Sequence, residues 1–142
     1  MVQSIEGPVT PSGWPRGEGF SHAIVSSPGR VIHIAGIASL DPKTGKPLWA
    51  GDFAKQWEQV LDSLCVVLEA AGAKPQHVGA MRLYVTDRDA YMAARAAMGK
   101  AFHARFGKHY PAMTLIGVVK LFHDDFMLEV EADAVIPSSD PG

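Results

Sequence analysis

Phe126-Met127-Leu128-Glu129-Val130-Glu131-Ala132-Asp133-Ala134-Val135-Ile136 runs from its third residue in alternation between small or aliphatic side chains and acids. Successive side chains of an extended strand point to opposite faces, so Leu128, Val130, Ala132, Ala134 and Ile136 share one face. Glu129, Glu131 and Asp133 share the other. A period of two over this length reads as a strand laid on a hydrophobic core. Antiparallel sheets often leave one face to water, which is the plain account of the three acids. The alternative is a cleft or a subunit contact, where a carboxylate acts as acid, base or hydrogen-bond acceptor. The run before it, Pro111-Ala112-Met113-Thr114-Leu115-Ile116-Gly117-Val118-Val119-Lys120-Leu121, is also strand-like. A short acidic loop between the two predicts a terminal hairpin.

Working back from that hairpin, two helical patterns flank one more strand. Phe53, Trp57, Val60, Leu61, Leu64 and Leu68 recur at three- and four-residue steps, with Asp52 placed to cap a helix over residues 53–71 and Gly72 to end it. Residues 77–86 form a strand, with Val78, Ala80, Arg82 and Tyr84 on one face and Met81, Leu83 and Val85 on the other. Asp87 or Asp89 caps a second helix over 90–106, whose stripe is Tyr91, Ala94, Met98 and Phe102. Upstream, residues 20–26 and 31–38 read as two strands of a hairpin around Ser27-Pro28-Gly29-Arg30. Gly36 interrupts the second of these, which predicts a β-bulge or a close approach to bare backbone. After the turn cluster Asp41-Pro42-Lys43-Thr44-Gly45-Lys46, residues 47–49 are a candidate third short strand. The order is β-β-(β)-α-β-α-β-β: an α+β domain, a mostly antiparallel sheet with both helices on one face. Ile34, Ile37, Val85, Leu115 and Val119 are expected on the uncovered face, where they predict an oligomer.

The N-terminal 18 residues carry Pro8, Pro11 and Pro15 among Gly7, Gly13 and Gly17, and are expected to form an irregular arm in which Trp14 is the one large apolar residue. Residues 19–137 form the domain and 138–142 a tail. Thirteen basic against fifteen acidic residues, a net charge of −2, leave no electrostatic footprint for nucleic acid. No run is long enough to span a bilayer, no secretion signal opens the chain, and the single cysteine, Cys65, fits a reducing compartment. A cytoplasmic protein is expected. No phosphate loop, no nucleophile-elbow serine and no paired-histidine zinc spacing is present, so neither a metal nor a cofactor is expected. Residue pattern alone yields an oligomeric domain with a candidate acidic cleft and no reaction.

Three stretches carry a resemblance. Ile34-Ala35-Gly36-Ile37-Ala38-Ser39-Leu40-Asp41-Pro42-Lys43-Thr44-Gly45 is similar to a segment written SGQxPxDPxTG. Gln59-Val60-Leu61 through Leu68-Glu69-Ala70-Ala71-Gly72-Ala73 is similar to a first helix ending in EAAG. Tyr110-Pro111-Ala112-Met113, with Leu128 to Val135, is similar to a PAR segment and an EIEAIAV strand. In this order and spacing, over residues 19–136, they resemble the Rid family of reactive intermediate deaminases, also called the YjgF family and formerly L-PSP endoribonucleases. The resemblance implies a chorismate-mutase-like fold and a homotrimer with small-molecule clefts between subunits. It implies hydrolysis of enamines and imines, such as 2-aminoacrylate, to 2-oxo acids and ammonia. Glu129 matches the family glutamate that positions or activates water, and Gly36 the glycine whose N–H faces the ligand.

The departures fall at the implied site. Met113 stands where the family arginine clamps the substrate carboxylate, Phe20 replaces a tyrosine, Ala35 a serine and Leu115 a cysteine. The expected cleft is therefore greasier, with Phe20, Ala35, Ile37, Met113 and Leu115 around Gly36 and Glu129. Arg95 falls where family members often carry an asparagine, and from a neighbouring subunit it is expected to supply the missing cation; otherwise it is a solvent-facing helix arginine. A non-catalytic ligand-binding trimer is the alternative function. A ribonuclease is disfavoured by the charge.

Overall fold

A computed structural model describes residues 6–138. The first five residues of the arm and the last four of the tail lie outside the described residues. Six strands and two helices follow in the order β1 (Gly7–Val9), β2 (Ala23–Val25), β3 (Gly29–Ala38), α1 (Phe53–Ala70), β4 (Val78–Val85), α2 (Arg88–Phe106), β5 (Ala112–Gly117) and β6 (Leu128–Pro137). A single 3-10 turn, Pro75–His77, leads into β4.

The main sheet has the order β3-β6-β4-β5. β6 pairs antiparallel with β3 on one side and β4 on the other, whereas β4 and β5 run parallel. The chain thus makes two strand–helix–strand crossovers, through α1 and α2, and the last strand slots between the first two main strands. The expected terminal hairpin does not form. β5 ends at Gly117 and β6 begins at Leu128, a connection long enough to carry the chain over β4. The expected first hairpin does not form either. β2 pairs with β1, not with β3, because the chain beyond Pro28 turns onto β6, where Ser138 N–H and Oγ–H both donate to the Pro28 carbonyl at 2.9 Å. Gly29 lies so close to the Ile136 carbonyl that a Cβ would sit 2.0 Å from its oxygen, so this entry into β3 admits only glycine. Residues 47–49 contribute one bridge, Leu40 to Pro47, and no strand.

Central placement explains the alternation of β6. Leu128, Val130, Ala132, Ala134 and Ile136 are all buried under the helices, and the acids between them are half-buried on the open face. α1 presents the predicted stripe, with Asp52 Oδ1 accepting from Lys55 N–H at its N-cap. Asp87, not Asp89, caps α2, accepting from Ala90 N–H at 3.1 Å. Trp57 in the core satisfies its indole by donating to the Met98 carbonyl at 3.1 Å. Gln56 is, among the described residues, the one fully buried side-chain amide: its Nε2 donates to the Trp49 and Asp125 carbonyls and its Oε1 accepts from Met127 N–H. It ties two loops to α1.

Five expected placements change, those of Ile34, Val85, Val78, Ile37 and Leu115, with Ile37 packed against the core opposite Val130. Ile34 and Val85 belong to the core, because their register partners Ala132 and Leu128 face the helices. Val78 joins them, since a register shift between Val78 and Ala80 turns it to the core face. Leu115 is exposed, but on the helix face of edge strand β5 and not on the open face, while Val119 and Phe122, beyond the end of β5, are 92% and 98% exposed. The arm is ordered enough to carry β1, and Trp14 meets His22 edge-on at 5.3 Å.

Candidate functional site

α2 crosses the β4–β5 edge of the sheet and leaves a cleft of about 300 Å³ beneath it. From the helix, Tyr91, Arg95, Met98 and Gly99 face into it, four positions spaced so that they share one side. Leu83 of β4 and Met113 of β5 form the sheet wall, with Trp57 and Phe102 below and Tyr110 at one side. Glu18 and Gly19 of the arm close the rim. The arm is held there by Ser21, whose N–H donates to the Pro111 carbonyl at 3.0 Å and whose hydroxyl donates to the Tyr110 carbonyl. Arg95 is exposed, and among the described residues no carboxylate pairs with it.

A second constellation lies on the opposite face of the same sheet. Glu129 is in register with Tyr84 of β4, on the open side, whereas Met113 is in register with Met81, on the helix side. Between Ile34 and Ile37 the β3–β6 ladder slips by one residue, so Ala35 and Gly36 form the bulge that the lone glycine predicted. Glu129 lies over that bulge. A Cβ on Gly36 would stand 2.5 Å from Glu129 Oε2, so the carboxylate occupies the space a side chain would need.

The three acids of β6 are not equivalent. Glu131 accepts from Arg82 Nε–H at 2.7 Å and from the Tyr84 hydroxyl. Asp133 accepts from Arg82 Nη2–H at 2.9 Å and pairs with His33 Nδ1 at 2.9 Å. The Tyr84 hydroxyl and then the Arg82 guanidinium hold the Glu131 carboxyl below the usual carboxylate range. His33, followed by Arg82, does the same for Asp133. In return, donating to Glu131 pushes the Tyr84 hydroxyl up. Among the described residues Glu129 alone of the three has no hydrogen-bond or ion-pair partner. Residue pattern alone treats the three alike, and only the family resemblance marks Glu129; Arg82 and Tyr84, two apart on the polar face of β4, are the signal that the other two are structural.

Of the remaining predicted residues, Phe20 shares a second hollow of about 270 Å³ with Met113, one that Arg95 does not line. Leu115 is exposed on edge strand β5, in register with Leu83 and thus on the helix face. Ala35 is exposed in the bulge, and Ile37 packs toward the core opposite Val130. Arg95 and Met113 line one cleft of a single chain, without a second subunit, because α2 and β5 are neighbours across the crossover. Tyr91, Tyr110, Gly99 and Glu18 were not singled out. Tyr91 was read as stripe, and nothing local marks the arm as a rim. Among the described residues no group of three or more His, Cys, Asp or Glu converges as metal ligands do, and no helix is long and apolar enough to cross a membrane.

Two helices over a mixed, mainly antiparallel sheet in this strand order define an α+β domain of the chorismate-mutase-like class. A Rid-family protein of Yersinia pestis superposes with a TM-score of 0.81 at 32% identity, over 91% of this chain and 97% of that one. A RutC family protein of Pyrococcus horikoshii is 34% identical over 115 residues, 81% of this chain and 85% of its own. The 2-iminobutanoate/2-iminopropanoate deaminase of Escherichia coli is 31% identical over 107 residues, covering 75% and 80%. Residues 15–136 match the endoribonuclease L-PSP family as a whole. The chain belongs to that family, the Rid or YjgF family.

Proposed function

We propose that the protein is a homotrimeric hydrolytic deaminase of small imines or enamines, with Glu129 as its acid/base group and Arg95 as its carboxylate clamp. The carrying observation is that Glu129 stays unpartnered over the bare backbone of Gly36 while its two strand neighbours are tied down. The name of the E. coli relative, a deaminase of 2-imino acids, supports the reaction class. One chain presents Arg95 and Met113 on one sheet face and Glu129 and Gly36 on the other, so a ligand touching both groups needs two copies. A cyclic trimer provides three such junctions.

In this mechanism the guanidinium fork of Arg95 holds the substrate carboxylate, a task that the thioether of Met113 cannot perform. Glu129 takes a proton from a water molecule whose oxygen forms the new bond to the imine carbon, while the C=N electron pair moves to nitrogen. Glu129 then hands that proton to the nitrogen, giving the carbinolamine. In the second half it takes the hydroxyl proton and delivers it to the same nitrogen as the C–N bond breaks, releasing ammonia and the 2-oxo acid. Gly36 offers its N–H at the bulge, and Phe20, Ala35, Met113 and Leu115 supply apolar surroundings, while Ile37, packed against the core, supports the bulge from behind. The protein acts in the cytoplasm, on a metabolite and not on nucleic acid.

The exchange of the family arginine for Met113 favours a second function, a ligand-binding trimer without catalysis. Ammonia release from freshly generated imines separates the two. The wild type is expected to exceed the buffer rate and Glu129→Gln to fall to it; equal rates for wild type, Glu129→Gln and buffer over a broad imine panel would leave only the binding function.

A further inference from the structure

We infer that the ligand of the α2 cleft is a 2-imino or 2-oxo monocarboxylate carrying an aryl or similarly planar apolar side chain, an inference that rests on the cleft being the substrate site proposed above. A three-carbon imino acid occupies on the order of 80 Å³, a small part of a pocket at the low end of the metabolite-site range. The cleft itself measures about 300 Å³. Three of its lining rings lie nearly parallel, Trp57 22° from Phe102 and Phe102 18° from Tyr110, and Phe106 in the core behind them stacks on Phe102 at 4.2 Å. Met98, Leu83 and Met113 complete an apolar wall suited to a flat ring.

Gly99 gives an independent indication. It sits in the interior of α2, where glycine is destabilising relative to alanine. Its φ is not in the left-handed region, and a Cβ there would meet nothing within 4 Å. Neither backbone conformation nor packing within the chain accounts for it. Its Cα faces the cleft, and the missing side chain leaves room there.

The rim defines the polar end. Arg95 supplies an unpaired guanidinium, and no ion pair joins it to Glu18 on the same rim, so the two charges remain available to a ligand. Arg95 suits one carboxylate, and Glu18 repels a second, which selects monocarboxylates over dicarboxylates.

The test uses two stable 2-oxo acids, 2-oxo-3-phenylpropanoate and 2-oxopropanoate, titrated calorimetrically into wild type, Arg95→Ala and Gly99→Leu. In parallel, ammonia release is followed from imines generated from phenylalanine and from alanine by an amino acid oxidase. The wild type is expected to bind the phenyl compound about tenfold or more tightly than the three-carbon one, from the extra apolar area buried. Gly99→Leu, which gains helix propensity and fills the cleft, is expected to lower the affinity for the phenyl compound by about tenfold or more and so to abolish its preference over 2-oxopropanoate. Arg95→Ala is expected to weaken both by about tenfold or more. Equal affinities in the wild type, or an aryl preference untouched by Gly99→Leu, overturn the inference. Aryl-selective binding with no hydrolysis of either imine sinks the deaminase function and keeps the ligand class; faster hydrolysis of the alanine-derived imine does the reverse.

Discussion

Gly36→Ala isolates the position of Glu129 from its chemistry. Gly36 has no left-handed φ, so alanine fits the backbone. The added methyl, however, would stand 2.5 Å from Glu129 Oε2, 2.9 Å from Cδ and 3.3 Å from Cγ. Ordinary contact begins near 3.4 Å, so the carboxylate must retreat by about 0.9 Å. The atoms that give way are the end of a flexible side chain, so the stability cost is under ~1 kcal/mol and the Tm shift about 3 °C or less. A displacement of about 1 Å in a group that moves protons costs about 10²-fold in kcat. Steady-state ammonia release and a thermal melt at one fixed protein concentration measure the two effects. The double variant with Glu129→Gln should lose no more than Glu129→Gln alone, since both changes remove the same function. Wild-type kcat in folded Gly36→Ala would refute the positional role of Glu129, and a Tm drop above about 10 °C would show that the glycine serves the sheet instead.

Two further outcomes concern the scaffold. Gln56→Leu keeps the volume but strands the Trp49 and Asp125 carbonyls and the Met127 N–H; at about 1 kcal/mol each, since both loops can recover water, the loss is ~3 kcal/mol, or a fall of roughly 10 °C in Tm. Glu131 and Asp133 have folded pKa values below their unfolded ones, so their contribution is complete above the unfolded carboxylate range near pH 4 and is lost as pH falls through the lowered values. Arg82→Met is expected to move the acid-unfolding midpoint, followed by circular dichroism, to higher pH; an unmoved midpoint would show that the network adds nothing.

Element type was legible wherever one physical pattern dominated. The three- and four-residue steps of α1, the caps at Asp52 and Asp87 and the strict alternation of β6 all correspond to what they predicted. Strand pairing was not legible, because it depends on partners far along the chain. The Ser27–Arg30 turn looks like a hairpin locally, but Gly29 is required by the carbonyl of Ile136. The run from Pro111 to Leu121 looks like one long strand, although only Ala112–Gly117 pairs, and the rest crosses over β4. At the site, the bulge at Gly36 could be read because glycine interrupts a strand for few reasons. Residue pattern could not divide the β6 acids, where the family resemblance alone marks Glu129, since the division depends on the register that sets Arg82 opposite Glu131. Nor could it reveal the aromatic cleft, whose rings come from α1, α2 and the loop before β5 and look like ordinary core in each segment.

Complementation between two inactive proteins tests the shared site most directly. Arg95→Ala and Glu129→Gln, each near background alone, are co-refolded at equal concentration and assayed for imine hydrolysis. If Arg95 of one chain works with Glu129 of another, random assembly leaves about a quarter of the junctions with both native residues, and roughly that fraction of wild-type activity returns. A mixture no more active than its two components would contradict a site built between subunits.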